Sequence, residues 1–266
     1  MIGSPTTVDD DQEPALTPPS SPSMPTAAFP AAGPSSLQQE PLGDRVAHEL
    51  RVLIITGTLA PGTHLVEGPL AEQFDVSRGP VRDAFKRLEA EGLVESRRRG
   101  VFVKGLSTED VDELYSLREA LEAMALRLAM ERAADGAWRR AEHHVREMRA
   151  AADAADAQAF ARADLEFHGQ FYALSGHRRL AAVWEQYRPT FAVLLGVTNA
   201  QDRDLHPSAE AHADMLDAIR SKRGELTASL LSEHLLGSCN RLRGALEAAV
   251  WRQAGRAPRG PDAGPR

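Results

Sequence analysis

The chain holds a single cysteine, Cys239, among its 266 residues, so an intrachain disulfide framework is excluded and a reducing compartment fits. No run of 18 or more apolar residues occurs, and no membrane-spanning helix is expected. The opening, MIGSPTTVDDDQEP, lacks a basic stretch followed by an apolar one, so no secretory leader is expected. Residues 1–40 contain no lysine or arginine. Their five carboxylates (Asp9, Asp10, Asp11, Glu13, Glu40) give −5, and eight prolines interrupt any periodicity. Such a segment buries too little apolar surface to offset its ordering entropy, and a disordered acidic tail is expected over 1–40. After Ser107 no alternating, strand-like pattern competes with helical spacing.

What is present is concentrated first in residues 65–103, LVEGPLAEQFDVSRGPVRDAFKRLEAEGLVESRRRGVFV. A short helix signal (Leu70, Ala71, Phe74) runs into a polar turn at Asp75-Val76-Ser77. A second helix has Val81, Ala84, Phe85 and Leu88 on one face and stops at Gly92. Two strand-like runs, 93–96 and 101–104, flank Arg97-Arg98-Arg99-Gly100. Helix, turn, basic helix and basic hairpin is the layout of a winged helix-turn-helix. The whole chain carries −7, yet residues 78–99 carry +3, from seven basic and four acidic side chains. The distribution matters more than the sum for a polyanionic partner. Ser77, at the start of the second helix, can cap it and face a phosphate. Arg78 and Arg82 lie one turn apart where base edges would be in reach, with bidentate guanine contact the expected chemistry. Lys86 reads equally as a solvated helix face. Arg97, Arg98 and Arg99 suit phosphates or a minor groove.

Ahead of this stretch, Val46, Leu50, Leu53 and Ile54 predict an amphipathic helix over 41–56 that completes a first unit, 41–105. Beyond it, helices are expected over 111–134, 137–152, 157–175, 178–199, 208–221 and 224–250, with breaks at Gly136, Gly176, His206-Pro207 and Gly224. The first of them, with Leu114, Leu117, Leu121, Met124 and Leu128, is expected to bury that stripe. The fold class is therefore mainly α: a winged helix-turn-helix followed by a helical bundle over 106–252, with a disordered tail over 253–266. Asp164 and His168 are four residues apart on one helical face. His212 and His234 lie among apolar neighbours on two later helices. One carboxylate and three imidazoles suit a first-row divalent metal, although Asp-x3-His alone is a weak signal and satisfied core histidines fit the same pattern. His48, His64, His143, His144 and His206 read as solvated; His177 could cap a helix or line a cavity.

These strings resemble a known family. Residues 50–103 are similar to the winged-helix domain of GntR-type bacterial transcription regulators. LYSLREALEAMALRLA (114–129), DLEFHGQFYALSGHRRL (164–180) and EAHADMLDAIRSKRGELTASLLSEHL (210–235) are similar to the FCD effector domain of the FadR-type subfamily. The resemblance implies a cytoplasmic bacterial regulator that binds double-stranded operator DNA as a homodimer and answers to a small carboxylate effector. It implies a divalent metal, zinc first with nickel or manganese as alternatives, on Asp164, His168, His212 and His234. Arg118 and His177 fall at effector-side positions, the latter where many relatives have asparagine. Gly79 departs from the usual threonine, which removes one side-chain contact to DNA. Repression and activation both fit. Two other classes compete: a metallohydrolase, disfavoured because no H-E-x-x-H occurs and Glu166 points away from Asp164 on the helix, and a scaffold whose bundle only dimerises.

Overall fold

A computed structural model describes residues 40–134 and 136–254. Of the tails expected over 1–40 and 253–266, residues 1–39 and 255–266 lie outside the described residues. The first unit is built from α1 (Leu42–Ile55), β1 (His64–Leu65), α2 (Glu67–Gln73), α3 (Arg78–Ala90), β2 (Val94–Arg97) and β3 (Gly100–Val103). Val46, Leu50 and Ile54 recur at helical spacing on α1 and pack with Val81, Ala84 and Leu88 of α3 in a dry core. Gly92, at φ 77°, ends α3 by turning the chain left-handed, a conformation open to glycine without steric cost. The strands form one antiparallel sheet in the order β1-β3-β2. Leu65, Val94 and Val103 point into the core, and His64, Glu95, Arg97 and Phe102 share the outer face. Strand β1 has no counterpart in the sequence reading, because two residues are too short for periodicity to register. The hairpin also differs by one residue at each strand: Arg97 pairs with Gly100, and only Arg98 and Arg99 form the turn.

The bundle comprises α4 (Thr108–Arg132), α5 (Arg139–Asp153), α6 (Ala157–Ser175), α7 (Arg178–Asn199), α8 (His206–Arg220) and α9 (Gly224–Ala254). A capping box starts α4: the Ser107 hydroxyl accepts the Asp110 N–H at 3.1 Å, and the Asp110 carboxylate accepts the Ser107 N–H at 3.0 Å. Three expectations need correction. His206-Pro207 does not break the chain but opens α8, because proline in a first turn forfeits no intrahelical hydrogen bond. Helix α9 runs on to Ala254, into the segment expected to be tail. The buried face of α4 is only partly the predicted leucine stripe. Leu128 is buried and Leu114 and Leu121 pack against the core, but Leu117 and Met124 are exposed. Val111, Tyr115, Arg118, Glu122, Ala125, Leu126 and Ala129 are buried as well, and the polar pair among them is what an apolar-stripe rule overlooks.

Head and bundle meet through a buried polar array. Arg51 of α1 donates from Nε and Nη2 to both carboxylate oxygens of Glu91, each at 2.6 Å. Glu91 caps the C-terminus of α3. The Thr190 hydroxyl of α7 donates to the same carboxylate at 2.8 Å, and the Gln186 amide of α7 donates to the Ala90 carbonyl at 3.1 Å. The recognition helix therefore ends on α7.

Candidate metal centre and nucleic-acid interface

Three helices of the bundle bring Asp164 and His168 (α6), His212 (α8) and His234 (α9) together. One ligating atom from each lies within 4.8 Å of all the others. Asp164, His168 and His212 are buried. The Nε2 atoms of His168 and His212 and Oδ1 of Asp164 have no hydrogen-bond partner. Asp164 Oδ1 stands 3.6 Å from His168 Nε2, and Oδ2 stands 3.6 Å from His212 Nε2, too far for hydrogen bonds. Two donors on a tetrahedral ion, each about 2.1 Å from it, would sit about 3.4 Å apart. The other ring nitrogens are occupied. His168 Nδ1 meets Glu122 Oε2 at 2.6 Å, and His212 Nδ1 meets the Ser208 carbonyl at 2.7 Å. These bonds put the ring protons on Nδ1 and leave Nε2 lone pairs facing the cluster, the usual arrangement of metal-binding histidines. The donor set fits a divalent first-row cation.

Electrostatics agree. Burial lowers His212 to about 4, with the nearby Arg118 and His168 adding to the effect, and burial beside His212 and His168 pushes His234 well below the usual imidazole range. Both rings are neutral at pH 7, as ligation requires. Burial alone would raise Glu122, but the Arg118 guanidinium and His168 outweigh it and hold the carboxyl at about 2. The pH consequence has a definite sign. Below about pH 6.5 the unfolded chain takes up protons that the native His212 and His234 refuse, so acid favours unfolding. The metal-free protein should lose stability as pH falls from 6.5 toward 4, on the order of 3 kcal/mol from His212 alone. Glu122 adds a separate loss between pH 4.5 and 2. Thermal midpoints in chelator across this range check it; a flat profile above pH 5 would contradict the burial.

Beside the cluster is a set of donors without acceptors. Arg118 Nε donates to Glu122 Oε1 at 2.6 Å, but Nη1 and Nη2 have no partner; neither do the Tyr172 hydroxyl and the Trp184 indole N–H, all of them buried. The Arg118 guanidinium carbon lies 5.8 Å from the Trp184 ring, which stacks on Tyr172 at 4.9 Å. Leaving such groups unpaired costs roughly 1–3 kcal/mol each, which favours an acceptor among them. His234 also lines a surface cleft of about 340 Å3 with Asp202, Ser208 and Arg241, which links the cluster to solvent. His177 is not in this group: its Nδ1 accepts the Leu180 N–H at 3.2 Å and caps α7. Glu122, Tyr172 and Trp184 escaped the sequence reading. For Glu122 a signal existed, since it stands four residues after Arg118, one turn along the same face of α4.

On the head, Ser77 is the N-cap of α3, but its hydroxyl makes no capping bond, contrary to expectation, and stays available. Of the seven basic side chains, four already have acidic partners: Arg82 with Glu67 (2.8 Å), Lys86 with Asp83 (3.3 Å), Arg87 with Asp44, and Arg97 with Glu95. Arg78, Arg98 and Arg99 have none among the described residues. A side chain at Gly79 would meet only Ser77 Oγ, at 3.9 Å from Cβ, so the space a larger residue would fill is open.

Residues 42–103 match the bacterial regulatory proteins of the gntR family, and residues 113–237 match the FCD domain. The chain belongs to the GntR family. It is 31% identical over 216 residues to the probable D-xylose utilization operon transcriptional repressor of Paenarthrobacter nicotinovorans, covering 77% of this chain and 93% of that protein. It is 28% identical over 203 residues to the gluconate operon transcriptional repressor of Bacillus licheniformis, covering 74% of this chain and 84% of the relative. A crystal structure of a GntR transcriptional regulator from Rhodococcus sp. RHA1 superposes with a TM-score of 0.55 at 28% identity, covering 76% of this chain and 98% of that one. This GntR protein is thus a DNA-binding transcription regulator with an FCD domain. The metallohydrolase reading falls: the families and relatives are regulators, and Glu166 pairs with Arg188 on the bundle surface. Among the described residues no helix is long and apolar enough to cross a membrane.

Proposed function

We propose that this GntR protein is a repressor whose operator affinity is set by a small carboxylate bound beside a divalent metal in the FCD bundle. Zinc suits the one-carboxylate, three-imidazole set best, with nickel or manganese as alternatives. The metal would be held by Asp164, His168, His212 and His234, and it would supply a positive charge against which an anion can settle. The observation that carries the reading is the group of unpaired donors at Arg118, Tyr172 and Trp184 next to that cluster. A carboxylate can accept from such donors with charge assistance from Arg118, which an apolar ligand cannot. The signal has a short route. Trp184 and Phe191 of α7 flank Arg118, while Gln186 and Thr190 of the same helix hold the end of α3. A ligand that favours one setting of α7 shifts operator affinity by its preference for that setting and no more.

On the head, Ser77, Gly79 and Gly100 would bring backbone close to phosphates, Arg78 would read a base, and Arg98 and Arg99 would lie along the wing. Arg82, Lys86 and Arg97 must first leave their acidic partners. Replacing Arg78 by alanine should weaken operator binding by about 1–3 kcal/mol and relax preference at one base position, while Lys86→Ala should weaken it uniformly across sequences. Anisotropy titrations on single-base operator variants check this. Replacing Arg118 by methionine should abolish the organic-acid response and leave ligand-free operator binding intact; an unaltered response removes the site.

A second copy completes the reading surface. Of six large apolar side chains exposed among the described residues, four lie on α4 and α9: Leu117 (38%), Met124 (40%), Leu226 (41%) and Leu236 (62%). A groove of about 630 Å3 between these helices adds Met130, Ala228 and Leu231. Such a surface suits self-association, and two heads can then read two half-sites. Leu117→Glu with Leu236→Glu should yield a folded monomer by light scattering, with weakened operator binding; an unchanged dimer would locate the interface elsewhere.

A further inference from the structure

We infer that His64 belongs to the DNA-binding surface, as a phosphate donor set between the recognition helix and the wing. The inference rests on the head being the DNA-reading unit and adds a residue that its basic pattern did not reveal. His64 lies on β1, at the edge of the sheet, on the outer face it shares with Arg97 and Phe102. Its ring is exposed and stacks on Phe102 at 4.7 Å with an interplanar angle of 18°. The Arg97 guanidinium sits 5.0 Å from the same Phe102 ring. His64 and Arg97 are thus positioned by one aromatic plate.

The approach to the wing tip is close. A Cβ built on Gly100 would stand 2.4 Å from His64 Nε2, so only glycine lets the imidazole lie there; its φ of 131° reinforces the demand. On the other side, His64, Gly68, Phe85, Gly100 and Arg78 line one cleft of about 400 Å3. His64 therefore fills the space between the unpaired Arg78 and the turn that carries Arg98 and Arg99. Its ring nitrogens have no hydrogen bond or ion pair among the described residues. By contrast, His144, His168, His177, His206 and His212 each have a ring nitrogen engaged. The neighbouring carboxylates are already taken: Glu67 of α2 by Arg82, and Glu95 of β2 by Arg97. The other charged neighbours, Arg78 of α3 and Arg97 of β2, are cations, and β3 contributes only Gly100, Val101 and Phe102. An acceptor for the ring must come from outside, and a phosphate oxygen supplies it where groove and backbone meet the head. The stack fixes the ring in advance, which lowers the ordering cost of contact.

Salt dependence provides the test. Each phosphate neutralised by a cation steepens the slope of log K against log salt by about 0.9. Full-chain protein is titrated by anisotropy into a labelled random-sequence duplex at several salt concentrations. His64→Ala should weaken binding by about 2–10-fold, the loss of one hydrogen bond to phosphate. His64→Arg should bind at least as tightly as wild type, with a slope steeper than that of His64→Ala by about 0.9 per head. Thermal midpoints should match, because the side chain is exposed. Variants that keep the wild-type affinity and slope overturn the inference while leaving the reading of the head intact. A wild-type protein without salt-dependent duplex binding overturns both.

Discussion

Replacing Glu91 by alanine should destabilise this GntR protein by about 3–5 kcal/mol, more than any surface change in the head. Arg51 is 3% exposed, so loss of the one carboxylate it pairs with among the described residues strands a cation in the interior. The Thr190 hydroxyl loses its acceptor at the same time. Thr190→Val, which removes one hydrogen bond and leaves the ion pair, should cost only about 1 kcal/mol. Because the array spans α1, α3 and α7, Glu91→Ala should also separate unfolding of head and bundle. Chemical denaturation followed by two probes checks this: coincident transitions in wild type and divergent ones in the variant are expected. The pair Arg51→Met, Glu91→Leu should recover most of the loss, since an apolar pair carries no desolvation penalty. A single small change in midpoint for Glu91→Ala would mean that water reaches Arg51 and that the junction is not a dry contact.

The head was legible in sequence because each of its signals is local. The apolar spacing of Val81, Ala84, Phe85 and Leu88, the stop at Gly92 and the basic hairpin turn all lie within a few residues of what they specify. Strand β1 was not, because His64 and Leu65 pair only with residues nearly forty positions away. With β1 unseen, His64 could only be read as solvated. In the bundle, helix existence and order followed from periodicity, but the buried face of α4 followed only in part. Its core face carries Arg118 and Glu122, and a buried ion pair looks in sequence like a solvent-facing one. The four metal-type ligands were found because Asp164 and His168 share a turn and the FCD resemblance linked them to His212 and His234; spacing alone could not have joined three helices. Which cations are free was equally hidden. Arg78 and Arg82 look equivalent one turn apart, yet only Arg82 has Glu67 beside it.

Loss of the cluster's outer carboxylate should show most directly how the site works. Glu122→Gln leaves all four candidate ligands in place and removes the charge that holds His168 Nδ1 at 2.6 Å and Arg118 Nε at 2.6 Å. A glutamine has one acceptor where two donors compete, and its amide would face the other. His168 is then free to rotate or to put its proton on Nε2, which spoils it as a ligand. Zinc affinity should fall about 10–100-fold, the usual cost of losing a carboxylate behind a metal-binding histidine. His234→Ala, which deletes a ligand outright, should lose more. With wild type, zinc at a hundred times its dissociation constant should add about 2.7 kcal/mol of stability, and the same concentration should add far less to either variant. Calorimetric titration of zinc into chelator-stripped protein, paired with thermal midpoints, measures both. Equal zinc affinity in wild type and Glu122→Gln would mean that His168 does not ligate through Nε2. A metal-free Glu122→Gln protein should also be less stable than metal-free wild type, because Arg118 has no other hydrogen-bonded carboxylate: Asp164 stands 4.0 Å away. Metal affinity and apo stability therefore respond through two different oxygens of one side chain, and measuring both separates the ligand-orienting role from the charge-pairing one.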